Sequence, residues 1–251
     1  MKIKYLIIFS LSINLIMIVI ELAVKFMKKS EILYTEPISA HTTKRRRGRP
    51  KCFDEQWALQ KAMLLFWEFG YEATSISDLT QSLNITAPSL YRTFGDKSQL
   101  FQKCLDYYLK HEACSIQHIF QHAKTAKIAI ELYLHEVVKR LIQDNKPTGC
   151  MLVVATMNCS EENQQLQQKL QQKRHAIKLN IQQRLAQGIE QGDLAPQTDL
   201  VTMTNFYSTI LQGLTIQARD GFTRQQLEQV VQYAMLAWPQ FEKISSHQDI
   251  V

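Results

Sequence analysis

From residue 54 to residue 241 apolar side chains recur every three or four positions, and no stretch alternates strictly. The first stripe, Ala58, Ala62, Leu65, Phe66 and Phe69, predicts a helix over 55–69 that Asp54 caps and Gly70 stops. Ser75 and Asp78 have capping-box spacing and open a short helix to about Ser82. Leu83-Asn84-Ile85 makes a tight turn, since Asn tolerates the left-handed region. Thr86 then caps a second short helix, with Pro88 in its first turn and Gly95 after its end. Asp96 opens a longer helix, expected to run to about His122. Further helices are expected over 124–143, 161–191, 198–220 and 223–241, with a short apolar segment at 150–157. Glycine and proline are scarce, 8 and 6 in the whole chain, which fits long helices and gives an all-α fold.

One hydrophobic run stands apart. Residues 5–24 are long enough to cross a bilayer and have no cleavage site of the signal-peptide kind. Two readings stay open: a transmembrane span that leaves the rest on the cytoplasmic side, or codons ahead of a start near Met27. Residues 1–26 are therefore set aside as a leader, and 27–51 as a linker and basic arm. A helix-turn-helix domain is expected over 52–100 and a larger helical domain over 101–245.

Charge changes this picture at one place. The net charge of +6 is uneven: residues 98–251 carry fifteen basic and fourteen acidic side chains, whereas 44–97 carry nine and six. The excess sits in Lys44-Arg45-Arg46-Arg47-Gly48-Arg49-Pro50-Lys51. Such a run beside a folded segment is a footprint for a polyanion. The five cysteines include no C-x-x-C pair, which argues against a disulfide framework or a zinc finger and fits a reducing cytoplasm.

Residues 75–94 have the spacing of a helix-turn-helix, in which the second helix enters the DNA major groove. A helical hairpin within a bundle has the same spacing, but the adjacent arginine arm favours DNA. Thr86 and Ser89 can bond to bases or phosphates, Ala87 and Pro88 can touch a thymine methyl, and Tyr91, Arg92 and Lys97 can reach phosphates. Arg45, Arg46, Arg47 and Arg49 suit the minor groove or the backbone.

The series Arg47-Gly48-Arg49-Pro50, Gly70-Tyr71-Glu72-Ala73-Thr74-Ser75-Ile76 and Ile85-Thr86-Ala87-Pro88-Ser89-Leu90-Tyr91-Arg92-Thr93-Phe94-Gly95-Asp96-Lys97 resembles the DNA-binding domain of the TetR/AcrR regulators. Gly149-Cys150, Gly192-Asp193-Leu194 and the stretch from Leu211 to Gly221 resemble one branch of that family. The resemblance implies a three-helix reading head, a helical effector domain, and a homodimer formed by the last two long helices. It implies a repressor that binds a palindromic double-stranded operator and is released by a small-molecule effector. It places DNA contacts on Ser75, Ser77, Thr86, Ala87, Pro88, Ser89, Tyr91, Arg92, Thr93 and Lys97. A hydrophobic leader is a departure from the family's pattern. The competing class is a membrane-tethered interaction protein or anchored regulator that uses residues 5–24 and rests its basic run on anionic lipid.

The effector half is less legible. Met151, Val154, Met157, Phe206, Tyr207 and Ile210 are the candidate pocket lining. His111, Cys114, His118 and His122 share one stripe of the helix expected to reach His122, and imidazole and thiolate are ligands for Zn, Cu or Ni. That stripe lies at the polar border of a face made by Leu105, Tyr108, Leu109, Ile116, Ile119 and Phe120, so it is read as a solvated edge, with no metal and no cofactor. Cys150 or Cys159 would sense oxidants only where a positive environment lowers its pKa; a buried, inert thiol is the commoner role. No Gly-rich phosphate loop, H-E-x-x-H or G-x-S-x-G occurs, so nothing asks for catalysis.

Overall fold

The computed structural model describes residues 54–155 and 163–243, which form helices and connecting turns with no strand among them. The described residues belong to one compact unit. The leader and the arginine arm (Arg45, Arg46, Arg47, Arg49), together with Met157 and Cys159, lie outside the described residues. No described helix is long and apolar enough to cross a membrane.

Helix α1 (Glu55–Ala73) starts where Asp54 accepts hydrogen bonds from the N–H groups of Gln56 and Trp57 at 3.0 and 3.1 Å. Its expected stop at Gly70 is corrected to a kink: Gly70 sits at φ 81° and ψ 173°, and helix resumes to Ala73. The kink turns the Tyr71 N–H outward onto the Ala155 carbonyl at 2.9 Å. Helix α2 (Ile76–Leu83) opens with the capping box of Ser75 and Asp78, and Asn84 closes it in the left-handed region at φ 51°, ψ 47°. Helix α3 (Ala87–Phe94) follows. Here Thr86 makes the turn with its backbone alone, and its hydroxyl forms no capping hydrogen bond.

The single helix expected from Asp96 to His122 is two, α4 (Lys97–His111) and α5 (Ile116–His122). The reason is packing. Leu100, Phe101, Cys104, Leu105 and Tyr108 of α4 belong to one apolar core, whereas Ile116 of α5 belongs to another, and a straight helix could not serve both. At the break, the N–H groups of Glu112 and Ala113 both donate to the Tyr108 carbonyl, at 2.8 and 2.9 Å. Helices α6 (Ala126–Leu141), α7 (Met151–Val154), α8 (Gln164–Glu190) and α9 (Leu200–Arg219) lie within the expected segments. The last expected helix divides at Ala237 into α10 (Arg224–Leu236) and α11 (Trp238–Lys243), which brings Trp238 and Phe241 against Tyr207.

The first core gathers Leu79 and Leu83 of α2 and Leu90 and Phe94 of α3 with α1 and α4, then continues into Met151, Leu152, Leu166 and Leu170. Phe66 meets Phe101 edge-on at 5.1 Å, and Trp67 meets Tyr108 at 4.8 Å. Each such buried aromatic is worth about 2–3 kcal/mol over exposure. The second core joins α6, α8, α9 and α10 through Leu134, Leu185, Tyr207 and Val231. Cys150 and Ile177 border both cores.

Candidate nucleic-acid interface and the cavity behind it

Helix α3 is eight residues long, with Leu90 and Phe94 facing the core and none of the described residues covering its other side. Thr86, Pro88, Tyr91 and Arg92 are exposed, and Ala87, Ser89 and Thr93 are half-buried. Tyr91 is 48% exposed, too open for a packing role. Arg92 Nη2 donates to Ser89 Oγ at 3.2 Å, which lays the guanidinium along the helix surface. On α2, Ser77 is exposed. Ser75 is also exposed, but its hydroxyl accepts from Asp78 N–H at 3.0 Å and donates to Asp78 Oδ2 at 2.7 Å, so capping occupies it. These bonds, with one from the Ser75 N–H, hold the Asp78 carboxyl below its ordinary pKa. Lys97 Nζ stands 4.4 Å from the Tyr71 ring centroid, at the point where α4 begins. Partial burial lowers its pKa, against the pull of Glu72 and Asp78. The expected contact residues thus fall on α2, α3 and the start of α4, while Ser75 and Lys97 are already engaged within the protein.

Behind this head lies a cavity of about 280 Å³ walled by Tyr108, Tyr133, Leu141, Cys150, Leu152, Val153, Ser208 and Leu211, with Arg174, His175 and Lys178 of α8 along one side. Of the residues first considered for a pocket, Met151 and Tyr207 are fully buried in the cores. Val154, Phe206 and Ile210 pack part-buried against those cores. The wall is built instead by their neighbours Leu152, Val153, Ser208 and Leu211, an offset of about 100° in helical phase per residue. One signal was present in the sequence: Leu166, Leu170, Ile181 and Leu185, with the half-buried Ile177, form the inward stripe of α8, and Arg174 falls in the same phase.

Cys150 is placed in the wall by a sharp turn at Gly149 (φ 92°), whose N–H donates to the Leu141 carbonyl at 2.9 Å. A side chain at Gly149 would meet Arg219 Cγ at 2.9 Å. Burial raises the Cys150 thiol, although the Tyr108 hydroxyl 3.4 Å away and the charge of Arg174 work against it. Burial pushes the Cys114 thiol to about 12. Both sulfurs are protonated at neutral pH, which is not the state of a reactive thiolate. Cys114 also lines the cavity, whereas His111 stacks on Tyr107 at 4.4 Å and His118 on His122 at 4.4 Å. The break between α4 and α5 therefore disperses the four-residue stripe, and no group of three or more metal-ligating side chains converges among the described residues.

The kink in α1 ties the head to the cavity wall. Trp67 Nε1 donates to the Gly149 carbonyl at 2.9 Å. Arg219, at the end of α9, donates to the carbonyls of Glu68, Trp67 and Thr148 at 2.9, 3.4 and 3.3 Å. These four bonds and the Tyr71–Ala155 bond were not readable from the sequence, because each joins residues far apart in the chain.

An exposed eight-residue helix held by a capped partner across a left-handed Asn turn defines a helix-turn-helix DNA-binding protein with a helical domain behind it. The family models agree: "Bacterial regulatory proteins, tetR family" matches residues 58–104, and "Tetracyclin repressor-like, C-terminal domain" matches 131–234. The chain belongs to the tetR family of transcriptional regulators. It is 33% identical to the HTH-type transcriptional repressor ComR of Escherichia coli (strain K12), over 82% of this chain and 98% of that one. It is 30% identical to the repressor BdcR of the same organism, over 72% and 86%. Among solved structures, a cysteine mutant of the TetR family regulator CifR, complexed with 26-bp double-strand operator DNA, is 37% identical with a TM-score of 0.73. That match covers 76% of this chain and all of the other.

Proposed function

We propose that this protein is a repressor that binds a palindromic operator as a homodimer through α3 and lets go when a small molecule occupies the cavity behind the head. The observation that carries the reading is the outward face of α3, where Thr86, Pro88, Tyr91 and Arg92 stand clear of the core. Small groups at the start of that helix can approach base edges, and Tyr91 and Arg92 reach the flanking phosphates. Operator complexes of a relative 37% identical over 76% of this chain support it.

The dimer is supported by α9 and α10. Between Leu200 and Gln217 no residue of α9 is charged, and the outward positions of α10 from Gln229 to Leu236 carry no charge either. Tyr233 and Leu236 are 74% and 69% exposed. A face meant for water normally carries charge, so a second copy is the natural cover, as two-fold symmetry requires for two half-sites about one DNA turn apart. The cavity is supported as the effector site by its position. Its wall at Gly149–Val153 is bonded to α1, so a shape change there moves the head. A change in head separation costs specific affinity without any loss of folding.

The test titrates the full-length protein onto duplex from upstream of its own gene and onto random duplex, across a salt series. Preferential, saturable binding at two protomers per site, lost in the Tyr91→Ala, Arg92→Ala variant, is the expected result. Equal, salt-labile binding to both duplexes that the variant retains would refute it.

A further inference from the structure

The charge around the cavity is one-sided. Arg140, Arg174 and Lys178 line it together with His175, and no Asp or Glu among the described residues does. Arg140 is already neutralised, its Nε bonded to Glu136 at 2.8 Å. Arg174 and Lys178 are not: neither has an ion pair among the described residues, and they lie four residues apart on one face of α8. Arg174 is half-buried, and one of its Nη groups donates to the Leu152 carbonyl at 3.0 Å, leaving the rest of the fork unused. Its burial lowers the pKa, so the fold gives up solvation of this cation without supplying a counter-charge.

The rest of the lining includes the apolar side chains of Leu141, Leu152 and Leu211. Within it sit two neutral polar groups with no protein partner among the described residues. Ser208 Oγ is buried with no hydrogen bond, and Tyr133, 5% exposed, makes none through its hydroxyl. Tyr133 shares the cavity lining with Cys114 and Cys150. A volume of about 280 Å³ is at the small end for ligand sites, which run about 300–1,000 Å³.

We infer that the cavity takes a small hydrophobic carboxylate, its anionic end held by Arg174 and Lys178 and its aliphatic or single-ring body against Leu141, Leu152 and Leu211. The assignment rests on the reading of this cavity as the effector site and adds the chemical class. The carboxylate supplies the counter-charge that α8 lacks. Ser208 and Tyr133 offer hydrogen bonds to an oxygen part-way along the body. A cationic or neutral ligand of the same shape leaves the two cations facing each other unscreened. Arg is the residue suited to gripping such a group, because two parallel N–H donors match two carboxylate oxygens.

The experiment measures binding of octanoate and 4-phenylbutyrate to the full-length protein by titration calorimetry, beside their methyl esters and octylamine, and repeats each with operator duplex present. Carboxylates are expected to bind about tenfold or more tighter than the esters, with octylamine not binding. In Arg174→Gln the ratio of acid to ester affinity collapses toward one, and in Arg174→Lys part of it returns; a merely structural role for Arg174 would lower both affinities together. Equal affinity for acid and ester, or no binding of either acid at millimolar concentration, overturns the assignment. Carboxylate binding with operator affinity unchanged overturns instead the effector reading on which it was built, while the anion site stands.

Discussion

Gly70 is where the fold is most exposed to a single substitution. At φ 81° and ψ 173° it occupies a region that only glycine visits, and Gly70→Ala must either accept that geometry or abandon it. The added Cβ would lie 3.4 Å from the Ala155 carbonyl oxygen, an ordinary contact, so the loss is backbone strain and not a clash. Strain of this kind costs about 1–3 kcal/mol, a sizeable part of the roughly 5–15 kcal/mol that holds a domain folded. If the chain straightens instead, the Tyr71 N–H leaves the Ala155 carbonyl and the Thr74 hydroxyl leaves the Gly70 carbonyl, bonds of 2.9 and 2.7 Å. Two buried hydrogen bonds are worth a similar amount, about 1–3 kcal/mol together. Either way a urea midpoint measured by helical circular dichroism at fixed protein concentration should fall by about 1 M. Gly70→Asn is the sharper arm. Asparagine tolerates the left-handed region near ψ 45° but not ψ 173°, so it should lose as much as alanine. An Ala variant within 0.5 kcal/mol of the parent, or an Asn variant that recovers most of the loss, would refute the reasoning.

Trp67→Phe keeps the edge-on contact with Tyr108 but removes the donor to the buried Gly149 carbonyl; a loss of about 2–4 kcal/mol is expected in thermal unfolding, and a loss below 0.5 would contradict it. Asp78 has a folded pKa below its unfolded one, so its contribution is present above the ordinary carboxylate value and disappears as pH falls through the lowered one. Part of the acid loss of stability below about pH 4 therefore belongs to this cap. In Ser75→Ala the loss between pH 5 and pH 3 should be shallower, as read from urea midpoints, and an unchanged slope would count against the cap. Tyr233→Asp with Leu236→Asp should give folded monomers in sedimentation velocity, because neither side chain belongs to its own protomer's core; persistent dimers would place the seam elsewhere.

The short-range part of this molecule was legible in its sequence. Asp54, Ser75 with Asp78, and Asn84 act through neighbours within three residues, and each sits where its chemistry requires. Helix α3 was legible for the same reason, since Leu90 and Phe94 fix which side faces out. The cavity was not. Its lining depends on how α7 and α9 are rotated against α8, and a rotation of one residue exchanges Tyr207 for Ser208. The break after His111 was hidden because apolar spacing continues across it, with Leu105 and Tyr108 serving one core and Ile116 the other. Gly70 looked like a stop because a glycine after a helix usually is one. Only the distant partners Ala155 and Arg219 turn it into a bend.

The aromatic packing of the head has a consequence for anyone who would transplant it. Phe66 and Tyr71 rest on Phe101, at 5.1 and 5.2 Å, and Trp67 rests on Tyr108 at 4.8 Å, so α1, the first helix of the head, is buttressed by a helix that also walls the cavity. A graft cut after Leu100 would carry the DNA-contacting surface and leave its keystone behind. A chimaera joined beyond Tyr108 keeps the buttress but imports with it one wall of the donor's cavity. The head and the cavity in this fold share masonry, and exchanging one without redrawing the other is not open to recombination at this joint.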